Sequence, residues 1–432
     1  MKNYRFWVPV LLVVMLLASI YLFYDKKADE QGLFDNLLME ARGYREQGIY
    51  VDAEKSYLDA VAMRPVQSLY AEIADFYSEN NMSRKSRNWC EIMLEQFPED
   101  PESYRYMLQQ YINKKDYIAC FDLLDVMQKR GITSQEVEAM MKPLEYVYYL
   151  GTEYDSVGVY GGGYSPVKLN GNWAYVNMRG TQTTAADFVK AGPFSGNLAP
   201  VVNMNGEAYF IDTSGNKKKI VENVENVVEL GLIENELFAL YDGKHWGYYN
   251  LNGTHVFGDY EEASNIGNGL AAGMRDSVWY ILDRNGNELT GKTYSGILFD
   301  EKGIIYRNGR IFVECGTKYQ MIDADGNEYG QTYEDARLFA DATWAAVKIG
   351  NQWGFVDKDG AIQIQPQYDD ARSFSNGLAA VKVKGKWGFI NQQGQMVIDP
   401  LFEGAKDFSN SGTVFVNTGK EWELLVLYKY NH

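Results

Sequence analysis

The spacing of apolar positions changes twice along this chain of 432 residues. Residues 6 to 24, FWVPVLLVVMLLASIYLFY, hold no charged side chain over nineteen positions, about the length a helix needs to cross a hydrocarbon layer. The run predicts a transmembrane signal-anchor within a first segment, 1–30, and the following YLFYDKKADE lacks the small residues of a cleavage site. From about 34 to 132 the apolar period is helical and the pattern returns every 33 to 34 residues. Tyr44, Tyr77 and Tyr111 form one column, Ala41, Ala74 and Leu108 another, and the small residues Ala53, Ser86 and Cys120 a third. Pro65 and Pro98 end the first two units, because proline cannot continue a helix. A helical-repeat segment over 31–150 is expected, closed by a capping helix in SQEVEAMMKPLEYVYYL. Beyond it the period falls to two. In LAAVKVKGKWGFI, Ala379, Val381 and Val383 share one face and Lys382 and Lys384 the other, which predicts a hairpin.

That hairpin recurs. Trp387 stands seven residues before the turn residue Gly394, and Trp353 stands seven before Gly360. The same offset marks Trp173, Ala208, Trp246, Trp279 and Tyr319, and an eighth rung starts at Trp422 without its glycine. A second ladder, an aromatic residue followed by an acidic or small one, runs through Tyr154, Tyr260, Tyr294, Tyr333, Tyr368 and Phe402, with Phe188 and Val224 weaker rungs. Tyr154 precedes Trp173 by nineteen residues, as Tyr368 precedes Trp387, so the repeat domain opens on the last strand of one unit and closes on a hairpin lacking that strand. A tryptophan that recurs in nearly every unit is demanded by the fold, so Trp173, Trp246, Trp279, Trp353, Trp387 and Trp422 are expected to pack between units. The glycine after Trp fits a place where a neighbour comes too close for a Cβ.

The phrases NQWGFVDKDG and GKWGFINQQG resemble the WG-repeat family of bacterial proteins, and the resemblance covers about 153 to 427. It implies a binding or scaffolding module without a shared catalytic activity. Four short β-segments per unit and about eight units predict a β-propeller-like domain over 151–432, with the segment from Tyr154 to Tyr160 completing the last unit; a linear β-solenoid is the alternative. The phrase EARGYREQGIYVDAEKSYLDAVAMRP resembles the tetratricopeptide repeat. That resemblance implies a concave groove presenting Arg42, Arg45, Asp75, Arg105 and Gln109, whose arginines suit an acidic partner or a solvated face. Leu38 and Arg42 occupy the places of the family's Lys and Asn clamp for a peptide carboxylate, so the clamp does not transfer.

Charge and rare residues narrow the function. A formal charge of -17 argues against a nucleic-acid partner. Cys90, Cys120 and Cys315 show neither disulfide-framework nor zinc spacing, and the three histidines have no catalytic neighbours in sequence. DADGNE and DKDG read as hairpin turns, since neither continues with the spacing of a calcium loop. YGGGYSP at 160 to 166 lacks the helix and lysine of a phosphate loop. No catalytic residue, metal site or cofactor is expected. Lys2 and Arg5 before the apolar run balance Lys26 and Lys27 after it, and the short leader favours a body outside the cell. The expectation is therefore a multidomain, non-enzymatic scaffold, single-pass in the cell membrane, binding proteins at the bacterial envelope. A cell-wall glycan or peptidoglycan binder is the second reading and a propeller-borne hydrolase the remote one.

Overall fold

The computed structural model describes residues 4–430, with side chains from residue 12 onward. The chain divides into a unit ending at Glu145 and a second running from Tyr146 to Asn431, close to the expected boundary at 150. The first unit is all helical: α1 (Tyr4–Glu46), α2 (Tyr50–Met63), α3 (Gln67–Glu79), α4 (Ser83–Gln96), α5 (Pro101–Lys114), α6 (Tyr117–Lys129) and α7 (Gln135–Met141). Local chemistry sets several of these boundaries. Asp100 caps α5 by accepting from the Glu102 N–H, with Pro101 in the first turn, and Ser134 caps α7 through the Val137 N–H. Ala41, Ala53 and Ala60 are fully buried where α1 meets α2, and Tyr57, Phe76 and Tyr77 extend that core into α3. The small-residue column keeps its meaning: Ala53, Ser86 and Cys120 are all buried, which lets paired helices approach closely.

The predicted membrane anchor is not supported. Residues 6–11 of the apolar run lie outside those whose side chains are described. From residue 12 α1 continues without a break through Tyr24 into Asp25, Lys26, Lys27 and Asp29. Among the described residues no helix is long and apolar enough to cross a membrane. That finding overturns the transmembrane element of the expected fold and the single-pass cell-membrane placement built on it.

The second unit is β-rich. Eight antiparallel hairpins follow one another, beginning with Tyr164–Leu169 against Asn172–Asn177 and ending with Thr413–Asn417 against Trp422–Leu427. We number them blades 1 to 8. Most are flanked by a two-residue strand on one side, such as Asp370–Ala371, and a longer strand on the other, such as Met396–Phe402. The buried apolar residues form clusters that each join consecutive blades. Tyr175 of blade 1 packs with Phe194 and Ala199 of blade 2, Trp353 and Phe355 of blade 6 with Phe374 and Val381 of blade 7, and Phe415 and Leu424 of blade 8 with Val157 and Val167 of blade 1. The last contact returns to the start, so the unit is a closed, propeller-like ring rather than a linear solenoid. Closure is also made by backbone pairing: the strand Tyr148–Tyr154 adds to Trp422–Leu427 of blade 8. The completing strand thus ends at Tyr154, where the sequence pattern had it begin, and it removes a free sheet edge.

The two aromatic ladders are one structure. Trp353 pairs across the strands with Tyr368, Trp387 with Phe402, Trp246 with Tyr260, Tyr319 with Tyr333, and Trp422 with Tyr154. Only blade 2, with Ala208 and Val224, breaks the series, since Ala208 has no such partner. Immediately after each Trp of the Trp-Gly blades the register slips, and the outer strand crosses over the glycine. A Cβ on Gly388 would lie 2.6 Å from the Ile398 carbonyl oxygen and 2.8 Å from the Pro400 nitrogen, and Gly354 is equally crowded by Ile364 and Pro366. Both contacts are with backbone and cannot relax cheaply. Gly388→Ala should therefore lower ring stability by about 1–3 kcal/mol in urea unfolding, with the m-value unchanged.

Candidate functional site

The recurring tryptophans are consumed by the fold. Trp279, Trp353 and Trp387 are buried and Trp173, Trp246 and Trp422 half-buried. Cations of the same chain cover several of their faces: the Arg337 guanidinium lies 5.0 Å from the Trp353 ring, Lys382 6.0 Å from Trp387 and Lys406 5.7 Å from Trp422. Gly360 and Gly394 both sit in turns at positive φ, and Gly360 is pressed against Gly330 of blade 5. The calcium-like fragments are turns as well. In DADGNE, Asp323 Oδ1 accepts from the Asp325 and Asn327 N–H groups, and Oδ2 from Asn327 and the Tyr329 hydroxyl.

In the helical unit the groove residues are engaged internally. Arg42 donates to both oxygens of Glu72 at 2.9 and 2.8 Å, tying α1 to α3, and Arg45 does the same with Glu79 at 2.9 and 2.6 Å. Arg105 forks onto Glu102, Asp75 accepts from the Tyr106 hydroxyl, and Gln109 donates to Asn113. The carboxyl of Glu72 is pushed up by burial, but Arg42 and Tyr57 outweigh that and hold it below the usual range. The three arginines thus face carboxylates of their own chain, and the cationic face expected for an acidic partner is neutralised.

The site that the structure does build lies inside the ring. A cavity of about 440 Å3 is bordered by segments that follow the innermost strands of blades 5, 6, 7, 8 and 1. Blade 5 supplies the decisive piece. Between the Ile297 bridge and the strand at Ile311 its inner loop folds into a turn at Asp300, which accepts from the Lys302 and Ile304 N–H groups. Asn265 of blade 4 holds the turn by donating to the Lys302 carbonyl at 2.7 Å. Glu301 at its tip reaches Arg372 of blade 7 at 2.9 Å and Lys406 of blade 8 at 3.0 Å. Arg372 also forks onto Asp407 at 2.6 and 3.0 Å, Arg307 pairs with Asp300 at 2.7 Å, and Arg337 with Asp370 at 3.0 Å. Burial opposes the charge on Arg372, but Asp407 and Glu301 outweigh it and keep the guanidinium firmly protonated. Burial likewise pushes the Glu301 carboxyl up, and Arg372 and Lys406 bring it below its usual range.

The sequence reading did not single out these cavity residues, yet two signals were present. Arg337, Arg372 and Lys406 each lie four residues after an aromatic of the second ladder, Tyr333, Tyr368 and Phe402, and Trp279 to Tyr319 spans forty positions, whereas Tyr319 to Trp353 and Trp353 to Trp387 each span thirty-four. The excess is the inner loop of blade 5. The glycines of YGGGYSP, unassigned by motif, form part of the cavity wall.

With this geometry in place, similarity to known proteins adds one element. The family model described as WG containing repeat matches residues 152–173, 353–387 and 387–422. The chain carries WG repeats. The last two matches run from one Trp rung to the next, and the first from the closing strand to Trp173, so the WG repeat coincides with the paired ladders. No curated protein matches the chain. Solved structures with some likeness include BamB from Moraxella catarrhalis, at 13% identity over 65% of this chain and 98% of that one, with a TM-score of 0.40. The WD40 beta propeller domain of Doa1 shows 10% identity over 65% and 97%, with a TM-score of 0.34. The ring itself rests on the chain's own strand pairing.

Glu301→Gln tests the cluster. Its carboxylate, depressed in the folded state, contributes stability above the ordinary carboxyl range near about pH 4, and that contribution is lost as the pH falls through the lower folded value. The substitution leaves Lys406 without its partner and Arg372 with one fewer. Because Glu301 is partly exposed, the expected loss at pH 7 is about 1–2 kcal/mol. Urea unfolding between pH 3 and 7 should show a shallower acid decline in the variant.

Proposed function

We propose that the chain is a non-enzymatic protein-binding scaffold whose helical pairs and WG β-repeats supply interaction surfaces. The helix pairs α1–α2, α3–α4 and α5–α6 are read here as tetratricopeptide-like. One observation carries the proposal: the residues that recur in the ring are spent on blade-to-blade packing, so what remains for function is a rigid frame with variable loops. Such frames suit binding. Support for the absence of chemistry comes from where the histidines lie. His245 Nδ1 faces Asp259 at 3.0 Å on an exposed turn, His255 Nε2 contacts the Gly258 carbonyl, and neither lines the cavity; His432 lies outside the described residues. A glycan-binding reading has less support, since the recurring tryptophans are buried or half-buried and cations of the same chain cover several of their faces.

Each unit also exposes apolar side chains. Val51 beside Tyr50 is 77% exposed in the helical unit, and Leu401 is 62% exposed in the ring. Affinity capture with the full-length chain should yield a protein that, once purified, binds directly in calorimetry. Val51→Asp or Leu401→Asp, both at exposed positions, should weaken that binding by about tenfold if its unit carries the contact. A purified chain that binds no captured protein directly would sink the proposal.

A further inference from the structure

The charges that line the ring cavity do not close. Five cations border it, Arg307, Arg337, Arg372, Lys406 and Lys302, against the carboxylates of Asp300, Glu301 and Asp407. Four of the cations have an ion-pair partner, with Asp370 serving Arg337. Among the described residues, none lies within ion-pair distance of the Lys302 ammonium. The sign is opposite to that of the chain, whose formal charge is -17, so the excess is a property of this place.

Lys302 is also held in position. Its N–H donates to Asp300 Oδ1 at 2.8 Å and its carbonyl accepts from Asn265 at 2.7 Å, so both sides of its peptide frame are clamped by two blades. The side chain is half-buried, and an ammonium withdrawn from water without a counter-charge costs free energy that an incoming anion would recover. Burial pushes this ammonium below its ordinary range and Arg307 adds to that, while Asp300 and Asp407 oppose it from longer range. The volume, about 440 Å3, falls in the range of small-molecule sites. The walls are not only polar: the exposed ring of Phe299 borders the same space, while Phe339 and Phe415 are buried in the wall. A bare inorganic anion would leave Phe299 unused.

We propose that the ring cavity binds a small organic anion whose carboxylate or phosphate head pairs with Lys302 and whose apolar body lies against the Phe299 ring. This goes beyond the protein-binding reading and is independent of it. Anions of this kind add the missing negative charge and bury apolar surface at the same time.

The test uses the full-length chain at low ionic strength, with phenyl phosphate, benzoate and uncharged phenol as probes, read by thermal shift and calorimetry. Phenyl phosphate or benzoate should raise the melting temperature and phenol should not, and the responding probe identifies the head group. Lys302→Met keeps the apolar stem and should fold with an unchanged or higher melting temperature, yet bind about tenfold or more weakly. Lys302→Gln provides a second neutral variant should Met perturb folding. Lys219→Met, at an exposed ion pair with Glu222, should bind like the wild type. No response of the wild type to either anion, an equal response to phenol, or undiminished binding by both neutral Lys302 variants overturns the proposal.

Discussion

The ring depends on an aromatic residue pairing across the strands in seven of its eight blades, and in the Trp-Gly blades the next residue lets the outer strand cross over it. Trp353 with Tyr368 and Trp387 with Phe402 meet that constraint through Gly354 and Gly388, whose missing Cβ leaves room for backbone atoms at 2.6 to 2.8 Å. The slip in register bends the outer strand. The aromatic pair then stands at the junction with the next blade, where each cluster of buried residues belongs to two blades at once. No blade has a complete core of its own. Stability is therefore shared between neighbours, as in other repeat architectures, and the last blade must be joined to the first. The strand Tyr148–Tyr154 makes that join in the same register, Tyr154 opposite Trp422.

Regular rungs build a frame, and departures from regularity build the site. Blades that follow the unit closely contribute short inner loops. Blade 5, lengthened on its inner side, sends Asp300, Glu301 and Lys302 into the space that its neighbours enclose, and an ion pair then links residues 105 positions apart in sequence. Lys406 belongs to both systems, covering the Trp422 ring and binding Glu301. The frame and the cavity are thus coupled through one side chain. In the helical unit the same logic runs the other way. Arginines that look free in the sequence, Arg42 and Arg45, are used to fasten one helix pair to the next.

Much of the fold was legible from the residues. The change of period from helical to alternating marked the two units and the spacing of Trp and Gly gave the number of hairpins, while the offset of Tyr154 pointed to ring closure with a linear solenoid still open. Hydrophobic length alone misled at the amino-terminal end: among the described residues no helix is long and apolar enough to cross a membrane. Blade 2 was a weak rung for the same reason that it is irregular in space: Ala208 and Val224 lack the aromatic pair that sets register.

What the sequence determined by itself was everything set by local periodicity: which stretches are helix or hairpin, which positions must be buried, and where each unit starts. Those are short-range consequences of side-chain alternation and turn chemistry. Only the tertiary structure decided which charges meet. Arg372 and Lys406 hold equivalent repeat positions, but the carboxylate that joins them, Glu301, comes from the irregular inner loop of blade 5, which carries no periodic mark. Closing the ring brings them together, leaves Lys302 without an ion-pair partner among the described residues, and makes an insertion of a few residues part of a cavity wall.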